Sequence, residues 1–526
     1  MSVHRIVGIE TEYGIVDVNN PTANPMLMSA QVVTAYAQAA RDNSPVLWDY
    51  HSEDPLNDAR GFRVDRASAH RSQLTDEEPT VEEAAQWGTV TTQERGPQRP
   101  RGEWTMNTVL TNGARFYVDH AHPEYSGPET TTPMDAVLWD RAGDEIALRA
   151  TRLLAQQPGM PHVALYKNNT DGKGASYGTH ENYLVDRSVP FDDIITLLTA
   201  HFVTRPIYCG AGRVGLGQNG QRPGFQLSQR ADFIEAEVGL ETTLRRPIIN
   251  TRDEPHADAE KYRRLHVIVG DANLMQVSTF LKIGTTAAIL SLAENGQVPQ
   301  SLQDLQLADP VLATTTVSHD TSLQARLTLR DGREMTALEI QQAYLEAVSD
   351  AVGPEPDPQT AQLLERWREV LEGLSTDPMS CAAQVEWVAK LRLLDAMRNR
   401  DNLQWDSPKL AAMDLQWSDL RSDKGIYRRL EAAGAVETMV SPTDIENAIH
   451  HPPTNTRAYF RGECVRRYPQ VSTANWDAIV FDLPDSTSLQ RVPMPEPHRG
   501  TQAHVEALLD SHPDPHALLK ALAGGE

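Results

Sequence analysis

From Arg5 to Ile15 side chains fall into two faces with a period of two, the pattern of a β-strand whose faces differ. In Arg5–Ile15, Val7, Ile9, Thr11, Tyr13 and Ile15 fall on one face. Glu10 and Glu12 fall on the other, between Gly8 and Gly14. Two carboxylates on one strand face, flanked by glycines, leave room for a close approach. A helix is predicted at Ala30–Arg41. From about Asp49 to Glu103 the periodicity lapses into charges and prolines, as in Thr75-Asp76-Glu77-Glu78-Pro79. A stretch this long inside a compact domain reads as an insertion, with a short helix at Val81–Trp87.

Strand periodicity resumes at Met106–Leu110 and Ala114–Val118. Arg115, Tyr117 and Asp119 share a face, with Phe116 and Val118 on the apolar side. A proline-punctuated turn, His120–Tyr125, carries Glu124. A helix over Pro133–Leu154 precedes strands at His162–Tyr166 and Tyr177–Val185, where His180 and Asn182 share a face. Another strand is predicted at Leu265–Asp271. Beyond Gln276 the pattern is helical. Thr336 and Glu339 form a capping box ahead of Ala337, Ile340, Tyr344 and Val348 on one face. Helices at Thr360–Leu374 and Ala382–Arg398 follow, then one capped by Ser441 with Pro442 at its first position. The tail holds a strand at Ala478–Asp482 and a helix at Gln502–Asp510. The class is α+β, with a large unit over residues 1–455 and a small one over 456–526.

Composition narrows the function. The chain has 526 residues, 40% hydrophobic and 23% charged, enough for a sizeable core. Lys+Arg is 48 and Asp+Glu 72, a net charge of −24. That balance disfavours nucleic acid and anionic membranes as partners. An acidic partner would need a local basic groove. Cys209, Cys381 and Cys464 are far apart, which argues against a disulfide framework or a zinc knuckle. The longest apolar stretch, near Thr285–Ala293, falls short of the roughly 20 residues of a membrane span. The expectation is a soluble cytoplasmic enzyme.

Glu10, Glu12, Glu124 and His180 are the sharpest constellation. Carboxylate oxygens suit magnesium and manganese, and manganese tolerates an imidazole well. On spacing alone, Glu-x-Glu fits a solvated strand face more often than a metal site. Asp119, if it faces cations, would stay ionised and could serve as nucleophile or base. Locally it reads as the residue that opens the turn at His120. Arg230, Arg245, Arg246 and Arg252 are candidates for oxyanion or phosphate contacts, with surface salt bridging the expectation for Arg245 and Arg246. Lys173 lies in a glycine-rich turn that is not a Walker loop. Trp367 and Trp387 are expected in the core.

The runs Gly8–Gly14, Thr111–Tyr125, Tyr177–Tyr183, Gly224–Arg230, Asn250–His256, Arg264–Asn273, Arg457–Glu463 and Asn475–Asp477 resemble the Pup ligase and depupylase family. That family's nucleotide site is similar to those of glutamine synthetases and other carboxylate–amine ligases. The resemblance implies a curved antiparallel sheet packed with helices, a nucleotide on its hollow face, and a small C-terminal domain. It implies metal-ligand positions at Glu10, Glu12, Tyr117, Glu124 and His180, and a catalytic aspartate at Asp119. Arg115, His266 and Trp476 match positions near the nucleotide. Arg230 and Arg252 match arginines facing phosphate or the Pup carboxyl end. Ligases typically read His-Pro-Glu-Tyr-Ala-Thr-Pro-Glu-Cys, whereas here the run is His122-Pro-Glu-Tyr-Ser126-Gly127-Pro-Glu129-Thr130. With the insertion and its Asp58-Ala-Arg-Gly-Phe62, this places the chain nearer the depupylases.

The implied activity is hydrolysis of the isopeptide bond between the C-terminal Glu of Pup and a substrate lysine, and deamidation of a C-terminal Gln of Pup. ATP, or ADP with phosphate, would be a cofactor that is not consumed, with Mg2+ or Mn2+. Implied partners are Pup, a small, acidic, largely disordered protein, and pupylated proteins, with a link to the bacterial proteasome pathway. The alternatives are a Pup–protein ligase consuming ATP through a γ-glutamyl phosphate, a small-molecule carboxylate–amine ligase, and a non-catalytic Pup-binding adaptor.

Overall fold

The N-terminal alternation folds into β1 (Val7–Glu12), an inner strand of a six-stranded sheet. The structure is a computed structural model that describes residues 1–40, 45–69, 73–76, 105–171, 174–215 and 223–524. The expected helix at Val81–Trp87 and Lys173 lie outside these residues. The expected strand Arg5–Ile15 is broken at Tyr13. The buried Tyr13 hydroxyl donates to Asp144 Oδ1 at 3.0 Å, beneath the sheet. The chain then leaves as β2 (Gly14–Asp17), which pairs with β7 (Val163–Tyr166) in a separate ribbon.

The other sheet strands are β4 (Asn107–Val109), β5 (Arg115–Asp119), β6 (His122–Ser126), β8 (Thr179–Asp186) and β9 (Tyr262–Val267). Their order is β9–β8–β1–β6–β5–β4, and every pair is antiparallel. Strand β9 starts and ends earlier than the expected Leu265–Asp271. One face carries Val7, Ile9, Phe116, Tyr125, Tyr183 and Leu265, all buried. It packs against α2 (Pro133–Ala155) and α4 (Gln276–Glu294), and α3 (Phe191–Thr204) packs on α4 in turn. Helix α4 is buried nearly all round, in keeping with its mostly apolar and small residues, and its buried Lys282 donates to the Asp271 carbonyl at 2.7 Å. The opposite face is polar.

Helix α1 (Pro25–Ala40) begins before the expected Ala30, because Asn24 Oδ1 accepts from the amide of Met26 at 2.9 Å and starts the first turn. Helix α5 (Ala337–Val352) carries the expected capping box, with the Glu339 amide 3.1 Å from Thr336 Oγ1. Helices α6 (Pro358–Thr376), α7 (Glu386–Asp401) and α8 (Pro442–His450) follow. The segment expected to open α7 is instead a 3-10 turn, Pro378–Ala383. Trp367 and Trp387 are fully buried, as expected. The three cysteines are buried and unpaired. No helix among the described residues is long and apolar enough to cross a membrane.

The tail contains α9 (Ala458–Arg467), β10 (Val471–Ala474), β11 (Ala478–Phe481), β12 (Gln490–Pro493), α10 (Gln502–Ser511) and α11 (Pro515–Leu522). Its apolar cluster includes Tyr459, Val465, Ile479 and Phe481, and takes in Val46, Trp48 and Val109 from the N-terminal part. Strand β3 (Leu47–Trp48) joins the tail's sheet by pairing parallel with β10. Polar contacts add to the junction: Glu129 accepts from Arg457 Nε at 2.8 Å and from Arg461. Burial opposes ionisation of Glu129, yet Arg461 and Arg457 hold its pKa down to about 2. This stabilisation is complete above the ordinary glutamate value and is lost as pH falls through about 2. Glu129→Gln strands two buried guanidinium groups, so it should lower unfolding stability by about 3–5 kcal/mol in denaturant titrations. A change below about 1 kcal/mol would remove this pair from the account.

Candidate active site

The polar face is assembled by register. Antiparallel pairing sets Tyr117 opposite both Asn107 and Glu124, Glu124 opposite Glu12, and Glu10 opposite His180. Next to that row, Asn182 faces His266. Residues more than a hundred positions apart therefore share one surface, and strand alternation points them all the same way.

Glu10 lies 3.1 Å from His180 Nδ1, and its other oxygen accepts from Asn182 Nδ2 at 2.9 Å. Asn182 Oδ1 accepts from Arg264 at 2.7 Å and lies 2.8 Å from His266 Nδ1. Donor atoms of Glu10, His180 and His266 all fall within 4.8 Å of one another, a spacing a metal ion can bridge. Those of Glu12, Asp119 and Glu124 do the same. Burial would raise the Glu10 pKa, but the His180 hydrogen bond and the nearby His266 and Arg264 hold it well below the ordinary range. Glu124 shows the opposite balance. Burial, with Asp119, Glu12 and Glu10 close by, pushes it well above the usual value. Its Oε1 is buried without a hydrogen-bond partner. The cluster thus holds more negative charge than its own cationic neighbours satisfy.

Asp119 ends β5 and is followed by the two-residue turn His120–Ala121. Its Oδ2 lies 2.8 Å from His120 Nδ1. Burial opposes ionisation, but His120 keeps the Asp119 pKa below its usual value. Both oxygens of Glu12 are held, one by a backbone amide and one beside an imidazole that is itself stacked. The Gly178 amide donates to Oε1 at 2.6 Å, His122 Nδ1 lies 3.1 Å from Oε2, and the His122 ring stacks on Tyr177 with centroids 4.2 Å apart. Gly178 leaves room for the ends of two site side chains. A Cβ there would fall 2.5 Å from Glu12 Oε1 and would also strike His180 Nε2.

The Arg115 guanidinium lies 4.2 Å from the Trp48 ring and 3.8 Å from the Tyr117 ring, a doubly stacked cation. Trp476 packs edge-on against Trp48 at 5.0 Å and receives Arg461 over its face. An open cleft runs from Glu10 and Arg264 past Gly8 and Gly127 to Trp476. Arg230 is buried; it donates to the Tyr177 carbonyl, and burial, with Arg246 near, lowers its pKa to about 10. Arg252 lies 4.0 Å from Glu254, which also accepts from Arg264, and is near enough to His266 to act on it.

Arg245 is exposed, but Arg246 corrects the surface salt-bridge expectation. Its guanidinium donates to the carbonyls of Thr242 and Ser176, at 3.0 and 2.6 Å, and it is near enough to Glu12 to feel that carboxylate. His122, Arg264 and Gly178 are site residues that spacing did not single out. Only the closeness of His122 and Gly178 to the Asp119 and His180 strands could have flagged them.

The start of the expected insertion is docked onto the site's edge. Trp48 Nε1 donates to Glu53 at 2.9 Å, the Asp54 amide donates to Glu254, and Thr251 Oγ1 donates to Asp58 at 2.7 Å. Burial and Glu254 push the Glu53 pKa up to about 8. Asn57–Asp58 and Phe62–Arg63 form a short hairpin rather than unstructured loop.

The six-stranded antiparallel sheet thus bears a carboxylate cluster on one face and helices on the other. Residues 5–480 match the family described as Pup-ligase protein, and the chain belongs to it. It is 51% identical to a depupylase of Acidothermus cellulolyticus, covering 99% of this chain and 100% of that one. It is 52% identical to a Pup deamidase/depupylase of Mycobacterium tuberculosis, over 97% of each. Among solved structures, the Pup ligase PafA in complex with ADP superposes with a TM-score of 0.70 at 32% identity, covering 82% of this chain and 98% of that one.

Proposed function

We propose that the protein is a depupylase and Pup deamidase. It hydrolyses the isopeptide bond between Pup's C-terminal Glu and a substrate lysine, and converts a C-terminal Gln of Pup to Glu. The observation that carries this reading is the gathering of Glu10, Glu12, Glu124 and Asp119 on one sheet face, in a chain similar to depupylases over nearly its whole length. Identity to those proteins exceeds that to the ligase bound to ADP, which favours hydrolysis over ligation.

The donor set suits Mg2+ or Mn2+: hard carboxylate oxygens, one or two imidazoles, and a buried Glu124 oxygen lacking a partner. Glu10, Glu12, Tyr117, Glu124 and His180 would hold the ions. ATP, or ADP with phosphate, would bind on this polar face with Arg115, His266, Trp476, Arg230 and Arg252 as its contacts; of these, Trp476 lines the cleft that begins at Glu10. These groups, when bound, supply positive charge and shape beside the reacting carbonyl.

The chain's own residues do the rest. His122, Tyr177 and the Gly178 amide lock Glu12 in place. Asn182 couples Glu10 to His266 and Arg264. Asp119, kept ionised, either attacks the amide carbonyl or takes a proton from the attacking water. Arg230 and Arg246 lie on the Glu12 side, where they would meet anionic groups of the substrate.

Amide hydrolysis is downhill in water, so phosphate released should stay far below one per bond cleaved. The test is deamidation of free Pup ending in Gln, followed by mass spectrometry with a phosphate assay. Lysine-dependent bond formation, with one phosphate per bond, would instead mark a ligase. An acidic partner held by arginines on a chain of net charge −24 should bind less tightly as salt rises. Equal Pup affinity at low and high salt, read by fluorescence anisotropy, would dismiss an electrostatic groove.

A further inference from the structure

Amide hydrolysis makes a demand that an ionised Asp119 does not meet. The nitrogen can leave a tetrahedral carbon only as a neutral amine, so it must gain a proton. This holds for lysine and for ammonia. Three imidazoles on the polar face are already committed: His122 stacks on Tyr177 beside Glu12, His180 bonds Glu10, and His266 bonds Asn182. His120 is placed differently. Its side chain is 49% exposed, its Nδ1 lies 2.8 Å from Asp119 Oδ2, and its Nε2 has no hydrogen-bond partner among the described residues.

The backbone gives an independent sign. His120 has φ 50°, in the left-handed region, as the first residue of the two-residue turn between β5 and β6. A turn with positive φ at that position favours glycine. The preceding hairpin, between β4 and β5, has Gly113 at its left-handed position, φ 79°. Such a φ costs a residue with a Cβ some free energy, histidine less than most, and Arg245, His256, Leu323 and Asn402 share it. The strained turn sets the imidazole directly on Asp119.

We propose that His120 is a catalytic residue that donates the proton to the leaving nitrogen, with Asp119 holding its Nδ1–H and its Nε2–H facing the scissile bond. The inference rests on the depupylase reading. The balance is complete. An Asp119 oxygen, or a water that Asp119 activates, bonds to the amide carbon, and the carbon–nitrogen bond breaks. The electron pair stays on nitrogen, which takes the Nε2 proton and departs as lysine amine or ammonia. The water consumed in the reaction returns a proton to His120. Consistent with this, Asp119 beside the ring raises the His120 pKa to about 9, so the imidazole holds a proton at neutral pH.

The test compares two Pup substrates that share the γ-carbonyl but differ in leaving group: a lysine isopeptide and a p-nitrophenyl ester, whose phenolate leaves without a proton. His120→Ala should lower isopeptide cleavage by about 10²-fold or more and ester cleavage by less than about fivefold. His120→Gly, which suits the turn, should show the same selective loss with a thermal midpoint at or above that of the wild type. Equal losses on both substrates, or no loss on the isopeptide, would overturn the assignment. A wild-type protein that cleaves neither substrate would sink the depupylase reading itself, and the inference with it.

Discussion

Asp119→Asn is expected to lower turnover of a Pup conjugate by on the order of 10³-fold or more while the protein still folds. The carboxylate ends β5, next to Glu12 and Glu124, and is held ionised chiefly by His120 against the cost of its burial. Asparagine keeps the size and can still accept from His120, so the turn survives. It cannot form an acyl bond or take a proton from water. Both proposed routes through Asp119 therefore stop. The measurement is single-turnover cleavage, with mass spectrometry excluding deamidation of the substituted side chain back to aspartate. Activity within tenfold of wild type would remove Asp119 from the chemistry. Hydroxylamine trapping of an acyl-Asp119 species in the native protein would select direct attack; a clean absence would select activated water.

The second large effect is expected at a residue with no side chain. Gly178 is not among the positive-φ glycines, so alanine carries no backbone penalty there. Its methyl group, however, would sit between Glu12 and His180. One of these must move, and the Gly178 amide that anchors Glu12 moves with it. Gly178→Ala should cost about 10²-fold in activity and raise the divalent cation concentration needed for half-maximal rate by about tenfold or more. Its unfolding midpoint in the absence of cations should change little. Unchanged cation dependence would mean that Glu12 and His180 do not serve the same site.

These expectations rest on features legible to different degrees in the sequence. The carboxylates Glu10 and Glu12 were legible because strand alternation is local, and so were Arg115, Tyr117 and Asp119. The match of Glu124 with Glu12, and of His180 with Glu10, depends on register between strands far apart in sequence, which periodicity cannot supply. The resemblance to a known family supplied it. The end of β1 at Tyr13 depends on Asp144, a buried acid on a helix that arrives more than a hundred residues later. Arg246 read as a surface residue because charge alone does not reveal that its partners are the carbonyls of Thr242 and Ser176. The apolar cluster of the tail takes in Trp48 and Val109, which only folding brings to it. The contact of Trp476 with Trp48 has the same origin.

The most direct measurement is incubation of the purified protein with a defined Pup conjugate, with and without ATP and Mg2+, read by intact-mass spectrometry. The account requires free Pup ending in Glu and an unmodified lysine on the released protein, formed only when nucleotide and metal are present and without stoichiometric loss of ATP. A conjugate left intact under every condition, or one that accumulates as ATP is consumed, would contradict it.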